Sequence, residues 1–384
     1  VTLGIFTVMT AELLPVGLLT PAAADLAVSE GAAALMVTVP GLVAALAAPL
    51  VTVRAAGADR RALLVALLLL AAAANLVSAL AGHLAVVLAA RVLLGIAIGG
   101  FWALAGGLAP RLVPAGAVGR ATAVIFGGVS AASVLGVPAG TLLTERVGWR
   151  WAFAATGVLA LLAAAALRTL LPRLPGRGAG TGAEPSPAAR SGAGTLLALP
   201  RRNRRVRAGL LLTLALVTGH FLAYSFVRPL LTDRSGIPGP LLGALLLGYG
   251  VAGVAGNFLA GSRAARSPGR TLAVIAAALG TVLLAGFLLG DSAIAGAGLL
   301  LLWGLAYGGV SVALQSWFMA AAPDDVETAT GLNVSVFCLA IALGALLGGL
   351  LVDAYSLDTV LLAGAALTLA ALPVAALSGR NDPS

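Results

Sequence analysis

Long apolar runs constrain this chain more than any other feature. They extend for roughly 20 residues without strand-like alternation, the length an α-helix needs to cross a bilayer core about 30 Å thick. In lipid the backbone must satisfy its own hydrogen bonds, which leaves helices or closed barrels, and the missing period of two selects helices. Composition agrees: 60% of the residues are hydrophobic, 10% are charged and the mean hydropathy is +1.06, whereas a soluble domain carries about 25% charged residues. The expected fold is an all-α membrane protein. Fifty glycines suit helices that touch through small residues.

Twelve spans are expected at about 2–22, 35–53, 62–81, 84–108, 119–143, 150–171, 207–231, 240–261, 270–289, 293–317, 327–352 and 356–377. The first lacks a basic leading region and a cleavage site, so it reads as a span and not as a signal peptide. All 23 basic residues are arginines. With the N-terminus in the cytoplasm, eighteen arginines lie on the cytoplasmic side, including Arg54, Arg60, Arg61, Arg111, Arg120, Arg168, Arg173, Arg177, Arg190 and Arg380. Arg146, Arg150 and Arg234 lie outside, and Arg91 and Arg228 lie within spans. The positive-inside rule then puts both termini in the cytoplasm. It also accounts for the net charge of +9 without a nucleic-acid partner. Residues 172–206, rich in Gly, Pro, Ala, Ser and Arg, read as a flexible cytoplasmic linker between domains 1–171 and 207–384.

The second half repeats the first at an offset of 208 or 209 residues. "ATAVIFGGVSAASVLGVPAGTLLTE" from Ala121 aligns with "ATGLNVSVFCLAIALGALLGGLLVD" from Ala329, pairing Gly136 with Gly344 and Gly140 with Gly348. "GIAIGGFWALAGGLAPRLVP" from Gly95 aligns with "GLAYGGVSVALQSWFMAAAP" from Gly304. Such symmetry is expected of transporters built from repeated halves, so two pseudo-symmetric six-helix bundles are expected. The same offset sets Glu12 of span 1 over His220 of span 7.

Glu12 is the strongest candidate for chemistry. An ionisable group in mid-membrane costs at least about 2.5–3.5 kcal/mol and normally faces a bundle interior or wet cavity. There it could take up and release a proton; the alternative is a structural carboxyl bonded to a neighbouring helix. Pro15 frees the carbonyl of Ala11, a kink that serves either motion or shape. His220, Tyr224 and Arg228 form a polar stripe at i, i+4, i+8 on span 7. His220 could relay protons or simply hydrogen-bond. Trp149 and Trp151 read as interfacial anchors, and Cys338 as a packing residue.

These segments make the chain recognisable. "TAELLPVGLLTP" in span 1, "RVLLGIAIGGFWA" in span 4, "VLGVPAG" and "VGWRWAF" around spans 5 and 6, and "TGHFLAYSFVRPLL" in span 7 resemble the major facilitator superfamily. Within it they resemble the bacterial drug:proton antiporter branch, which includes pumps for arabinose-type sugars, purine nucleosides and chloramphenicol. The resemblance implies that Arg91 takes part in proton transfer; its alternative role is to hold backbone carbonyls of span 1. It also places spans 1, 4, 7 and 10 at the centre. Phe101, Trp102, Tyr307, Gln315 and Trp317 then join His220, Tyr224 and Arg228 as candidates for binding cargo, with packing as the alternative. Gly136, Pro138 and Gly140 look like the family's antiporter motif, whose small residues let the bundles meet closely. The loop holding Asp59, Arg60 and Arg61 matches the superfamily's gate motif only at its end: Thr52, Ala56 and Asp59 replace the usual Gly, Asp and Gly. A solvated positive-inside loop explains the two arginines equally well.

The expectation is thus a proton-coupled exporter of small amphipathic molecules in a bacterial inner membrane, working by alternating access as a monomer. Its partners are a small-molecule cargo, protons and the bilayer, its energy source is the proton gradient, and it needs no cofactor. The alternatives are a dedicated sugar or nucleoside exporter, a symporter or uniporter that imports, and a membrane sensor. The sequence has no phosphate-binding loop for ATP-driven transport, no nucleophile or metal constellation for an enzyme and no ligand spacing for a metal site.

Overall fold

All twelve expected spans form helices long and apolar enough to cross a membrane. The computed structural model describes residues 1–54, 58–105, 108, 112–114, 118–174, 193–264, 266–323 and 325–379, and among them there is no strand. The first six spans are α1 Thr2–Asp25, α2 Glu30–Arg54, α3 Arg60–Leu80, α4 Leu84–Ala105, the composite α5 and α6 Trp149–Leu170. The last six are α7 Arg204–Tyr224, α8 Gly239–Ala264, α9 Pro268–Leu289, the composite α10, α11 Val326–Ala354 and α12 Leu357–Gly379. Of the expected linker, residues 175–192 with Arg177 and Arg190 lie outside the described residues, as do Ala56, Arg111 and Arg380. The remainder is more ordered than its composition suggests. Residues Ala193–Arg202 form a helix, and the Asn203 side chain caps α7 by accepting from the Arg205 and Val206 N–H groups at 2.9 and 3.1 Å.

Proline explains the irregularity of spans 5 and 7. The composite α5 runs Val118–Ala131, a π-helical turn Ala132–Gly136, then Val137–Val147. Pro138 lacks the N–H that would bond to the Val134 carbonyl, and the wider turn ends beside it. In span 7 the helix stops at Tyr224, short of the expected residue 231. After Ser225 and Phe226 come the short helix Val227–Pro229 and a π-helical turn Leu230–Arg234. Pro229 leaves Ser225 without its helical donor, and the backbone takes a different path around it. The composite α10 runs Ala293–Gly308, then Val310–Ala321.

The helices gather into two compact units. Residues 1–28 and 39–190 make the first, and residues 29–38 and 191–384 the second, so the division falls inside α2. In the second unit Asp353 on α11 holds the start of α2, accepting from the Ser29 hydroxyl at 2.6 Å and the Gly31 N–H at 3.1 Å.

The repeat read from the sequence recurs as equivalent close contacts in each unit. A Cβ placed on Gly95 would lie 2.7 Å from the Pro40 carbonyl oxygen, and one on Gly304, 209 residues on, would meet the carbonyl of Tyr249. Gly99 meets Ala44 as Gly308 meets Gly253. Gly136 meets Thr10 as Gly344 meets Thr218, and Gly140 meets Leu14 as Gly348 meets Leu222. Four glycine contacts thus reappear at the offset that the sequence alignment needs. Small residues at these points let backbones touch, which is how helices associate where no hydrophobic force separates protein from lipid.

At Gly308 the neighbour is backbone, which cannot swing aside. We expect Gly308→Leu to destabilise the second unit by about 1–3 kcal/mol, as overpacking does. Gly261→Ala, whose new Cβ would lie 3.6 Å from a Val312 methyl carbon, should leave the apparent melting temperature in detergent unchanged or slightly raised. Equal losses in the two variants would refute the close-contact account.

Candidate functional site

In the first unit Glu12 sits midway along α1, only 1% exposed. It therefore does not face lipid, and among the described residues neither carboxyl oxygen has a hydrogen-bond partner. Most buried polar atoms have one, so a buried carboxyl with none demands an explanation. Burying the anion without a donor is far costlier than burying the neutral acid.

Arg91 on α4 is equally buried. Its NH1 donates to the Ala11 carbonyl at 2.9 Å, the oxygen left without a helical donor by Pro15. The guanidinium carbon lies 4.5 Å from the centre of the Phe153 ring, and among the described residues the Nε and Nη2 groups have no hydrogen-bond partner. No ion pair joins Glu12 to Arg91 among the described residues. Of the two roles weighed for Arg91, holding a backbone carbonyl of span 1 is the one its geometry displays. Its two remaining donors are available for another acceptor.

The second unit builds a different site at the equivalent place. The Trp303 indole N–H on α10 donates to His220 Nδ1 on α7 at 3.0 Å. Indole nitrogen only donates, so Nδ1 accepts and the neutral imidazole carries its proton on Nε2. The imidazole stacks on Tyr307 with ring centres 3.4 Å apart and 8° between planes, and on Tyr224 at 4.8 Å and 22°. Tyr249 extends the stack, 4.9 Å from Tyr224. Trp303 meets His220, Tyr224 and Tyr249 edge-on. Trp303 and Tyr249 are absent from the sequence reading. The spacing Trp303-x-x-x-Tyr307 places both rings on one helical face and was the available signal.

Other expected residues lie elsewhere. Arg228 falls beyond the break after Tyr224, so the stripe does not continue in helical register to a third member. Phe101 is 1% exposed, its ring packed against Gly4 of α1; Trp102, next on α4, is half-buried. The Gln315 amide donates to the Thr330 hydroxyl at 3.3 Å. The Trp317 indole donates to the Arg205 carbonyl at 2.9 Å, so it packs at the start of α7. Trp149 is no interfacial anchor: it is 4% exposed and its N–H donates to Asp25 at 3.1 Å. What Gly136 and Gly140 accommodate is α1 of the same unit, and Pro138 is buried beside them.

The loop before α3 serves as a fastening. Asp59 Oδ1 accepts from the Arg61 and Leu174 N–H groups, both at 3.0 Å. The Arg60 N–H donates to the Leu174 carbonyl at 2.9 Å, and Arg61 NH1 to that of Leu171 at 3.1 Å. Asp59, standing where the family pattern has glycine, thus caps α3 and ties down the chain leaving α6. Among the described residues no cluster suited to a metal ion occurs.

Two repeated six-helix halves, each with a buried ionisable side chain in its first helix, define a polytopic membrane protein of the solute-transporter class. The chain belongs to the Major Facilitator Superfamily, whose family profile matches residues 1–345. It is 34% identical to the purine ribonucleoside efflux pump NepI of Escherichia coli (strain K12) over 95% of this chain and 89% of that protein. It is 35% identical to the transcription regulatory protein OpdE of Pseudomonas aeruginosa over 98% of this chain and 92% of that one. Among solved structures, a bacterial homologue of the human lysosomal transporter Spinster, inward-facing and occupied, superposes with a TM-score of 0.78 at 16% identity, covering 99% and 95% of the two chains. A mutant of the nucleoside transporter NupG superposes with a TM-score of 0.75 at 12% identity, covering 98% of each chain. The protein is a multi-pass membrane transporter, not an enzyme.

Two couplings test this geometry. Arg91→Leu strips the Ala11 carbonyl of its donor and should destabilise by about 1–3 kcal/mol. Adding Pro15→Ala restores a helical N–H to that carbonyl, so the double variant should lose less than the sum of the singles. Trp303→Phe keeps an aromatic ring but removes the donor; the hydrogen-bond part of its loss, about 0.5–1.5 kcal/mol, should vanish in a His220→Phe background. Additive melting shifts in either cycle would contradict the hydrogen bond it probes.

Proposed function

We propose that the protein exports flat or amphipathic small molecules, purine nucleosides among them, in exchange for protons across a bacterial inner membrane. The observation that carries this reading is Glu12: a carboxyl buried in the first span with both oxygens unpartnered. A group with no structural bond to lose is free to gain and release a proton as its surroundings change. Arg91, with one donor fixed on α1 and two unpartnered, supplies what the anion needs when it forms.

In the proposed cycle Glu12 takes up a proton when open to the outside, as cargo leaves, and releases it into the cytoplasm before new cargo is drawn out. The chain acts as a monomer with both termini cytoplasmic and the proton gradient as its energy source. His220 is assigned to cargo and not to the relay. Its Nδ1 lone pair is engaged by Trp303, while Nε2–H is a donor set among aromatic faces that suit a planar heterocycle. The similarity to NepI favours the nucleoside reading over broad drug efflux. A regulatory role, in which the protein senses such a molecule, is the second reading and is favoured by the name of its relative OpdE.

Proteoliposomes separate these readings. Wild-type protein should drive purine nucleoside movement under an imposed pH gradient. Glu12→Gln should abolish gradient-driven flux, by 10-fold or more, while nucleoside counterflow without a gradient persists. Full coupling in Glu12→Gln removes the residue from the proton path. Binding of nucleosides by the wild type with no flux at all favours the sensor.

A further inference from the structure

Outside both buried sites, the first unit holds a cavity of about 420 Å³ where α3 begins and α6 ends. That volume is within the usual range for small-molecule sites, about 300–1,000 Å³. Arg61, Val65, Ala66 and Leu69 line it from α3, and Arg168 and Arg173 from the end of α6 and the chain leaving it. Asp59 is the carboxylate at its edge, and its Oδ1 already accepts two backbone N–H groups. Three guanidinium groups therefore face one carboxylate already engaged in capping. Arg61 commits NH1 to the Leu171 carbonyl, which fixes its position. Arg168 and Arg173 make no hydrogen bond or ion pair among the described residues.

The apolar wall continues along the same two helices as an exposed face. Leu69 is 46% exposed on α3, and Leu161, two turns before Arg168 on the same face of α6, is 41% exposed. On a membrane-spanning helix such a face meets acyl chains. The cavity thus joins a cationic head to an apolar slot that opens on lipid, at the arginine-rich end of the bundle. A free phosphate or nucleotide would use the arginines and leave the slot bare, and a zwitterionic lipid would set its own cation beside them. Arginine pairs with phosphate oxygens through two parallel N–H bonds, which suits a phosphodiester.

We propose that this cavity is a binding site for one anionic glycerophospholipid, its phosphate held by Arg61, Arg168 and Arg173 and one acyl chain lying along Val65, Ala66 and Leu69. A basic pocket beside transmembrane helices, near a lipid surface, is the setting in which each arginine is worth about 1 kcal/mol toward an anionic headgroup.

Native mass spectrometry of the full chain, offered equimolar phosphatidylglycerol and phosphatidylcholine, tests the site. The wild type should retain phosphatidylglycerol at least 10-fold better. Arg168→Gln with Arg173→Gln should weaken that retention about 30-fold, the equivalent of two such charges. Arg263→Gln with Arg270→Gln, in the second unit, should leave it unchanged. Equal retention of the two lipids by the wild type overturns the proposal even if the double variant fails to fold. So does an equal loss in the control pair, or full displacement by millimolar inorganic phosphate or glycerol 3-phosphate, which would mark a soluble anion's site.

Discussion

The carbonyl that Pro15 frees on α1 is the point on which the first unit's polar chemistry turns. A buried carbonyl needs a donor, and the one it receives comes from Arg91 on α4, 80 residues away. That bond fixes a guanidinium on the backbone of α1 at the residue before Glu12. Once there, the guanidinium cannot easily withdraw, because doing so would leave Ala11 bare. Fixing one end of Arg91 leaves its other nitrogens as standing donors in a region with few. One missing N–H in the backbone thus anchors a buried cation on the helix that carries Glu12.

The repeat carries this scaffold into the second half without carrying its chemistry. Glycines at equivalent positions set α2 against α4 and α1 against α5, and likewise α8 against α10 and α7 against α11. Backbone contact is indifferent to side-chain identity, so the equivalent helix faces are free to differ. At Arg91 the second half has Leu300; at Leu94 and Ile98 it has Trp303 and Tyr307. The first half's buried groups are polar and incompletely bonded, whereas the second half's are aromatic and stacked.

The twelve helices were legible because lipid removes alternatives: an apolar run of sufficient length has no other way to satisfy its backbone. The repeat was legible because glycine spacing records helix contact directly. Glu12 and His220 stood out because polar groups are rare in such runs, and the Pro15–Ala11 defect could be named from the helix bonding pattern alone. What filled that defect could not, since it depends on the separation and rotation of α1 and α4. The same limit hid Trp303 and Tyr249. Both look like ordinary apolar-run aromatics until Gly253, Gly256, Gly304 and Gly308 draw α8 and α10 together. Span 7 ends earlier than its apolar run for a related reason: Pro229 announces a lost bond, but where the helix gives way depends on what Ser225 and Phe226 pack against.

The difference between the halves bears on how a proton and a cargo could be handled by one chain. Glu12 loses no hydrogen bond when its protonation changes, whereas a second proton on His220 would need the lone pair that receives Trp303 and would set two N–H groups against each other. The stacked rings on both sides of His220 also hold it in place, which suits recognition of a flat molecule better than movement with each cycle. A duplicated fold gives each half the same helices to work with, and the proposed cycle uses the divergence at a few inward positions, with one half titrating and the other recognising cargo. Under that proposal, the pairing of Glu12 with His220 across the repeat is the position where the two halves divide the work.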